Sequence, residues 1–191
     1  RLFRVAILTS TAAGMLERQR RRLREQVEIL GIEIDNISQR QFLSELTKGV
    51  IFTPNVDHLM KLQEDTEFQA AYRQADYKVC DSQILMYASK LLGKPLKAKI
   101  SGSDLLPLFC DYHRDNPEIT LFLLGGAEGV AKQAQANINA NIGREIVIAA
   151  HSPSFGFEKD KAECQAIINI INDSGATVLA VGVGAPKQEL W

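Results

Sequence analysis

The run "VLAVGVGAPKQELW", residues 178–191, sets a cation, an amide and a carboxylate (Lys187, Gln188 and Glu189) just after an apolar stretch that ends in glycines and a proline. Three other short stretches share that form, an apolar run followed by small or polar residues and then a helical pattern. They are "FTPNVDH" from position 52, "VCDSQ" from 79 and "LLGGAEGV" from 123. In an open parallel sheet, ligands bind outside the carboxyl ends of the strands, so chemistry is expected to gather at these four places.

Each stretch has a chemical reading and an ordinary structural one. Asp81 closes an apolar strand, where partial burial would raise its pKa toward that of a useful general base. An aspartate there also serves as the N-cap of a following helix. Thr53 and Asn55 offer a hydroxyl and an amide to sugar hydroxyls or a diphosphate. Asp57 and His58, in the same six residues, read equally well as a helix-capping acid and a satisfied surface side chain. Gly125, Gly126 and Gly129 form GGxxG, one residue short of the dinucleotide fingerprint. Glycines of that kind suit both a backbone that approaches a phosphate and a tight turn with no ligand.

Some chemistries are excluded or disfavoured. No Asp or Glu stands beside His151, where a NAD-binding sheet would carry its ribose-binding acid, and no GxxxxGK[ST] occurs. The chain has 3 histidines, far apart, and no DxD, so neither a metal nor a cofactor is expected. Gly184 lies in the turn after the last apolar run. Lys187 follows a proline suited to helix position N1, and a cation there opposes the helix dipole unless it meets an anionic ligand or a carboxylate.

The elements that must position these residues follow from periodicity. Helical patterns cover 38–48 with Ser38 as N-cap and Gly49 just past the end, 57–75 with a break near Asp65, 82–93, 104–113, 127–143 and 158–175. Short apolar strands lie between them, and "ITLFLLGG" is the clearest buried one. This alternation predicts an α/β fold, Rossmann-like, with a mostly parallel sheet and helices on both faces. Near the start, "MLERQRRRLREQVEIL" reads as an amphipathic helix with a basic face formed by Arg18, Arg20, Arg21, Arg22 and Arg24, either solvated or resting on anionic lipid. Its end is ambiguous, because "VEILGIEIDN" also alternates like two strands around Gly31. The domain reading is a basic arm or helix over 1–26 and one α/β core over 27–191.

Composition narrows the class further. A net charge of −1 gives no nucleic-acid signature, and 46% hydrophobic residues are enough for a core. The 3 cysteines are scattered and not spaced as CxxC, which fits reduced thiols rather than disulfides or zinc. No apolar run approaches the ~20 residues of a membrane span.

Taken together, "TPNVDHLMKLQEDTEFQAAYRQADYKVCD", "ASKLLGKPLKAKISGSDLL", "LFLLGGAEGVA", "SPSFGFEKD" and "VGVGAPKQELW" resemble the WecG/TagA/CpsF glycosyltransferases of bacterial surface-polysaccharide synthesis. The resemblance implies inverting, metal-free transfer of a sugar such as N-acetylmannosamine from a UDP-sugar to a polyprenyl-diphosphate-linked acceptor. It makes Asp81 the base and carries Thr53 and Asn55 to the donor pocket. Gly102, Ser103 and Asp104 fall in the "GSDL" segment, and Gln188 in "PKQE", near the nucleotide. It also implies a cytoplasmic protein peripheral at the inner membrane face, compatible with a homo-oligomer. In the family a glycine usually follows the aspartate, so Ser82 implies a differently shaped turn beside the sugar. The family continues past "PKQE" into a basic segment that this sequence does not contain. Two alternatives remain: a NAD-type oxidoreductase, and a nucleotide-sugar-binding module without catalysis.

Overall fold

Side-chain caps divide the helical patterns. In the computed structural model, which describes residues 4–7 (backbone only), 24–46 and 48–191, Ser38 Oγ accepts from the Gln41 N–H and opens α1 (Gln39–Glu45). Asn55 caps α2 (Val56–Lys61), and Asp65 caps α3 (Thr66–Gln74), so the long helical pattern breaks at Asp65 as expected. Ser82 caps α4 (Gln83–Leu91), Ser101 caps α5 (Gly102–Tyr112) and Asp160 caps α7 (Lys161–Asp173). Each satisfies an N–H that the first helical turn leaves without a partner. Helix α6 (Val130–Ile142) instead lies between two left-handed glycines, Gly129 and Gly143. A short α8 (Lys187–Leu190) has Pro186 at its N-cap rather than inside the helix at N1.

Six strands form one sheet, in the order β5 (Tyr77–Lys78), β4 (Gly49–Phe52), β1 (Arg4–Ile7), β8 (Val178–Gly182), β6 (Leu121–Gly125), β7 (Val147–His151). Strands β4 and β5 are parallel, as are β8, β6 and β7. β1 runs antiparallel to both of its neighbours. Five of the six strands therefore point the same way, with β1 threaded through the middle in reverse.

Alternation along the strands serves two helical layers. Leu121, Leu123, Val178, Ala180 and Ile51 share a core with α1 and α5 through Phe42, Leu105 and Phe109. Phe122, Leu124 and Val181 turn the other way, onto Ile167 and Ile171 of α7. Phe52, on that same side, meets Phe68 and Tyr72 of α3. The result is a mixed α/β fold with helices against both faces.

The ambiguous segment after the basic run is a hairpin, β2 (Gln26–Ile29) and β3 (Ile32–Asp35), paired only with itself. Leu30 and Gly31 both take positive φ, 50° and 76°, as a two-residue turn matched to strand twist requires. The expected helix over 15–30 therefore does not reach its end, and residues 8–23 lie outside the described residues. Arg24, read above as part of a basic face that is solvated or rests on lipid, is instead packed inside. Its Nη1 lies 3.3 Å from Asp35 Oδ2 and its guanidinium sits 4.0 Å from the centre of the Tyr77 ring. Gly49 does not follow α1 directly but begins β4. Among the described residues no helix is long and apolar enough to cross a membrane.

Asp35 ties the hairpin to the sheet edge. It accepts from Gln26 Nε2 (2.9 Å), from the Lys78 N–H (2.8 Å) and from Arg24. Removing one member of a buried charged set leaves the others unpaired. Asp35→Ala is therefore expected to lower the unfolding free energy by about 3 kcal/mol in urea titrations. A loss within the error of the extrapolation would show that the hairpin is held mainly by its apolar face.

Candidate active site

Two groups of side chains stand at the carboxyl ends of the strands. The first surrounds Asp81. Strand β5 is only two residues long, but its continuation keeps pairing: the Val79 N–H donates to the Phe52 carbonyl (3.0 Å) and the Asp81 N–H to the Pro54 carbonyl (2.9 Å). From the other side the Ile100 N–H donates to the Cys80 carbonyl at 2.7 Å. Asp81 is thus fixed beside the end of β4, half-buried.

Asp81 does not cap α4. Ser82 Oγ does so, accepting from the Leu85 N–H at 3.3 Å, which leaves the neighbouring carboxylate available. Ser82 takes an extended conformation, φ −155°, that any residue adopts, so the turn after Asp81 needs no glycine. Asp81 Oδ2 accepts, at 3.4 Å, from the N–H of Gly102, the first residue of α5. Burial pushes the Asp81 pKa above the usual carboxylate value, against the Gly102 N–H and the nearby charge of Lys99, which both pull it down.

Around it, Ser101 Oγ donates to Asp104 Oδ2 at 2.6 Å and lies 3.1 Å from Ser103 Oγ. Ser103 and Asp104 are exposed on the first turn of α5. Thr53 is buried, and its hydroxyl has no partner among the described residues. Asn55 Oδ1 is committed to capping α2 through the His58 N–H at 2.9 Å. Asp57 is exposed and pairs with Lys61 at 2.6 Å.

His58 is not a surface residue. Its Nδ1 meets the Tyr72 hydroxyl inside the aromatic cluster of Phe68 and Tyr72. Burial lowers its pKa to about 4.

The second group lines a cleft of about 660 Å³ at the ends of β6, β7 and β8. Gly126, Gly184 and Lys187 lie in it, joined by Ser154, Phe155 and Glu158. Gly125 sits just beneath and has its own reason to be glycine: at φ 135° a Cβ would lie 2.4 Å from the Gly182 carbonyl oxygen of β8. Ser152 Oγ donates to the Gly125 and Ala127 carbonyls (3.2 and 2.9 Å) and fixes the turn that leads to α6.

Lys187 Nζ is 3.0 Å from Glu158 Oε1 and 5.0 Å from the centre of the Phe155 ring. The carboxylate partner that its position called for is present. Its hydrogen bond is the main reason that the Glu158 pKa is lowered. Gln188 points inward rather than into the cleft: its Oε1 accepts from the Gly184 N–H at 3.2 Å and its Nε2 donates to Glu189 at 2.7 Å. Gln188 therefore braces the Gly184 turn.

Phe155, Glu158 and Lys99 were not singled out from the sequence; Gly102 was, in the "GSDL" segment, but not as a donor to Asp81. The only available signal was the first of the two aromatics in "SPSFGFEKD", Phe155, which the structure leaves fully exposed at the cleft rim. Asp81 follows β5 and Gly184 follows β8, three positions apart in the sheet order, which is roughly 14 Å at normal strand spacing. The two groups are thus separate ends of one rim. Among the described residues, no three His, Cys, Asp or Glu side chains come together in a group that could hold a metal ion.

A mixed α/β sheet with a carboxylate and a glycine-lined cleft along its carboxyl rim has the place where open α/β sheets bind their ligands. The chain belongs to the WecG/TagA/CpsF glycosyl transferase family, whose model matches residues 27–191. It is 27% identical over 150 residues to N-acetylglucosaminyldiphosphoundecaprenol N-acetyl-beta-D-mannosaminyltransferase of Bacillus spizizenii, covering 78% of this chain and 56% of that protein. The chain thus spans about half the length of this curated relative.

The buried histidine makes stability depend on acid. Unfolded His58 takes a proton near its ordinary pKa of 6.5, whereas the folded ring resists until about 4. Between those values the unfolded chain holds the extra proton, so stability falls as pH is lowered through that window. The expected loss from this group between pH 7 and pH 4 is roughly 3 kcal/mol. Denaturant titrations of His58→Gln should give a correspondingly shallower acid slope, and parallel slopes would disprove the assignment.

Proposed function

We propose that this protein is an inverting glycosyltransferase acting on a UDP-sugar. The donor sugar would be N-acetylmannosamine or a related hexosamine, and the acceptor a polyprenyl-diphosphate-linked glycan of a cell-surface polymer. The name of the Bacillus spizizenii relative supports the choice of sugar and acceptor. The observation that carries the reading is Asp81: half-buried at the sheet rim, raised in pKa, released from capping by Ser82, in a chain of this family. The sheet is read as Rossmann-like, with residues 27–191 and the central strand Arg4–Ile7 as one catalytic core working at the inner face of the membrane.

In this reading the nucleotide occupies the cleft beside Gly126, Gly184 and Phe155. The exposed Phe155 ring offers a stacking face to the base, and Lys187, already close to that ring, faces the diphosphate. The sugar extends along the rim toward Thr53, whose buried hydroxyl lacks a protein partner. Asn55, Ser103 and Asp104 lie at this sugar end of the donor and acceptor path. Gly125 and Gln188 shape the floor and the turn rather than touching the donor. The acceptor hydroxyl approaches Asp81, gives up its proton to the carboxylate and attacks the anomeric carbon. The bond from that carbon to the diphosphate oxygen breaks, and UDP leaves with the negative charge. No metal or cofactor is assigned a step.

Asp81→Asn keeps the shape but cannot take the proton, so transfer should fall by about 10²–10⁴-fold while UDP still raises the melting temperature. A variant that folds, binds UDP and keeps the full rate would remove Asp81 from the mechanism. Because the base must be ionised, kcat/KM should rise with pH through a value above that of an ordinary aspartate. Phe155→Ala leaves the core untouched and should weaken UDP binding by about tenfold or more in titration calorimetry. Unchanged affinity would move the base elsewhere. A melting shift with NAD and none with UDP would favour the oxidoreductase.

A further inference from the structure

Helix α4 turns an apolar stripe toward solvent. Its inner side is satisfied: Leu85 packs with Val27, Ile29, Ile34 and Leu59, and Ser89 is buried. On its outer side Ile84, Tyr87 and Leu91 are 64%, 62% and 90% exposed, and Leu92 at its end is 57% exposed. Positions 84, 87 and 91 recur at i, i+3 and i+7, so they share one face.

The charges around this stripe are of one sign. From Ser82 to Ser103 the sequence holds Lys90, Lys94, Lys97 and Lys99 and no Asp or Glu, in a chain whose net charge is −1. All four lysines are exposed; among the described residues only Lys97 forms an ion pair, with Glu25 at 3.0 Å, and Lys99 lies near enough to Asp81 to act on its charge. A second copy docked by the same patch would set these lysines against their own counterparts. An anionic surface meets both features at once: apolar side chains sink to the acyl boundary while lysines reach phosphates. The stripe also begins at Ile84, three residues after Asp81.

We propose that α4, with the lysine-rich segment that follows it, is the face on which this protein rests against an anionic lipid bilayer. The inference deepens the acceptor reading above and rests on it: an acceptor held in the bilayer would then reach Asp81 from the membrane side.

The test is co-sedimentation of the whole chain with vesicles, without any sugar substrate. Phosphatidylglycerol mixed into phosphatidylcholine should retain the protein, and pure phosphatidylcholine should retain far less. The pair Ile84→Ser with Leu91→Ser, and separately Lys90→Glu with Lys94→Glu, should each cut binding to the anionic vesicles at least about tenfold. Both pairs should keep the wild-type melting temperature, since these side chains support no core.

Binding that survives both pairs overturns the proposal, as does binding lost only when Arg20 and Arg21 are replaced by Glu. A wild-type dimer in sedimentation equilibrium that Leu91→Ser dissolves would assign the face to a second copy and also overturn it. The two readings fail separately. Loss of vesicle binding in the α4 pairs supports the surface even where transfer assays remove Asp81, and unaffected vesicle binding overturns it even where Asp81 stands.

Discussion

The hydrogen bond from the Asp81 N–H to the Pro54 carbonyl, 2.9 Å, sets the position of the site. A proline has no N–H to extend a ladder, yet its carbonyl still accepts. Here it holds the chain beyond β5 in strand-like register. Val79 and Cys80 are buried in different cores, one with the sheet and one with the hairpin, so each anchors the segment from its own side. Side chains alternate along an extended chain, and the next residue comes out at the rim. The carboxylate is held by backbone on both sides before any ligand arrives.

Burial decides the electrostatics of both titratable groups near this rim. At Asp81 it outweighs a helix-start N–H and a lysine, and the carboxyl moves toward proton affinity. At His58, enclosed by Phe68 and Tyr72, it acts in the opposite sense on a base and keeps the ring neutral. The same desolvation therefore prepares one group to accept a proton and prevents the other from doing so. At the far end of the rim, Lys187 and Glu158 pair with each other at 3.0 Å.

Much of this was readable from residue order. Ser38 announced a helix start because its side chain suits the unpaired N–H groups of a first turn, Asp65 marked only a break in a helical pattern, and both act as caps. The buried run at 121–125 forms the strand its apolar residues predicted. Other features depended on distant parts of the chain. The short segment Arg4–Ile7 carries no period that specifies a reversed strand between β4 and β8, whose residues lie far along the sequence. Arg24 looked like one of a row of surface cations until Asp35 and the Tyr77 ring gave it an interior partner on each side.

The sequence by itself determined the alternation of strands and helices, the places where strands end in chemically useful residues, and the family. These are local or pattern properties, carried by spacing and by residue type. Only the tertiary structure decided which residue caps α4, and so left Asp81 out of that cap. It also turned Gln188 inward, explained Gly125 by the nearness of Gly182, and brought Phe155 to the cleft. The reason is physical: capping, packing and exposure are outcomes of competition among groups far apart in the chain, and only the folded arrangement says which of them wins.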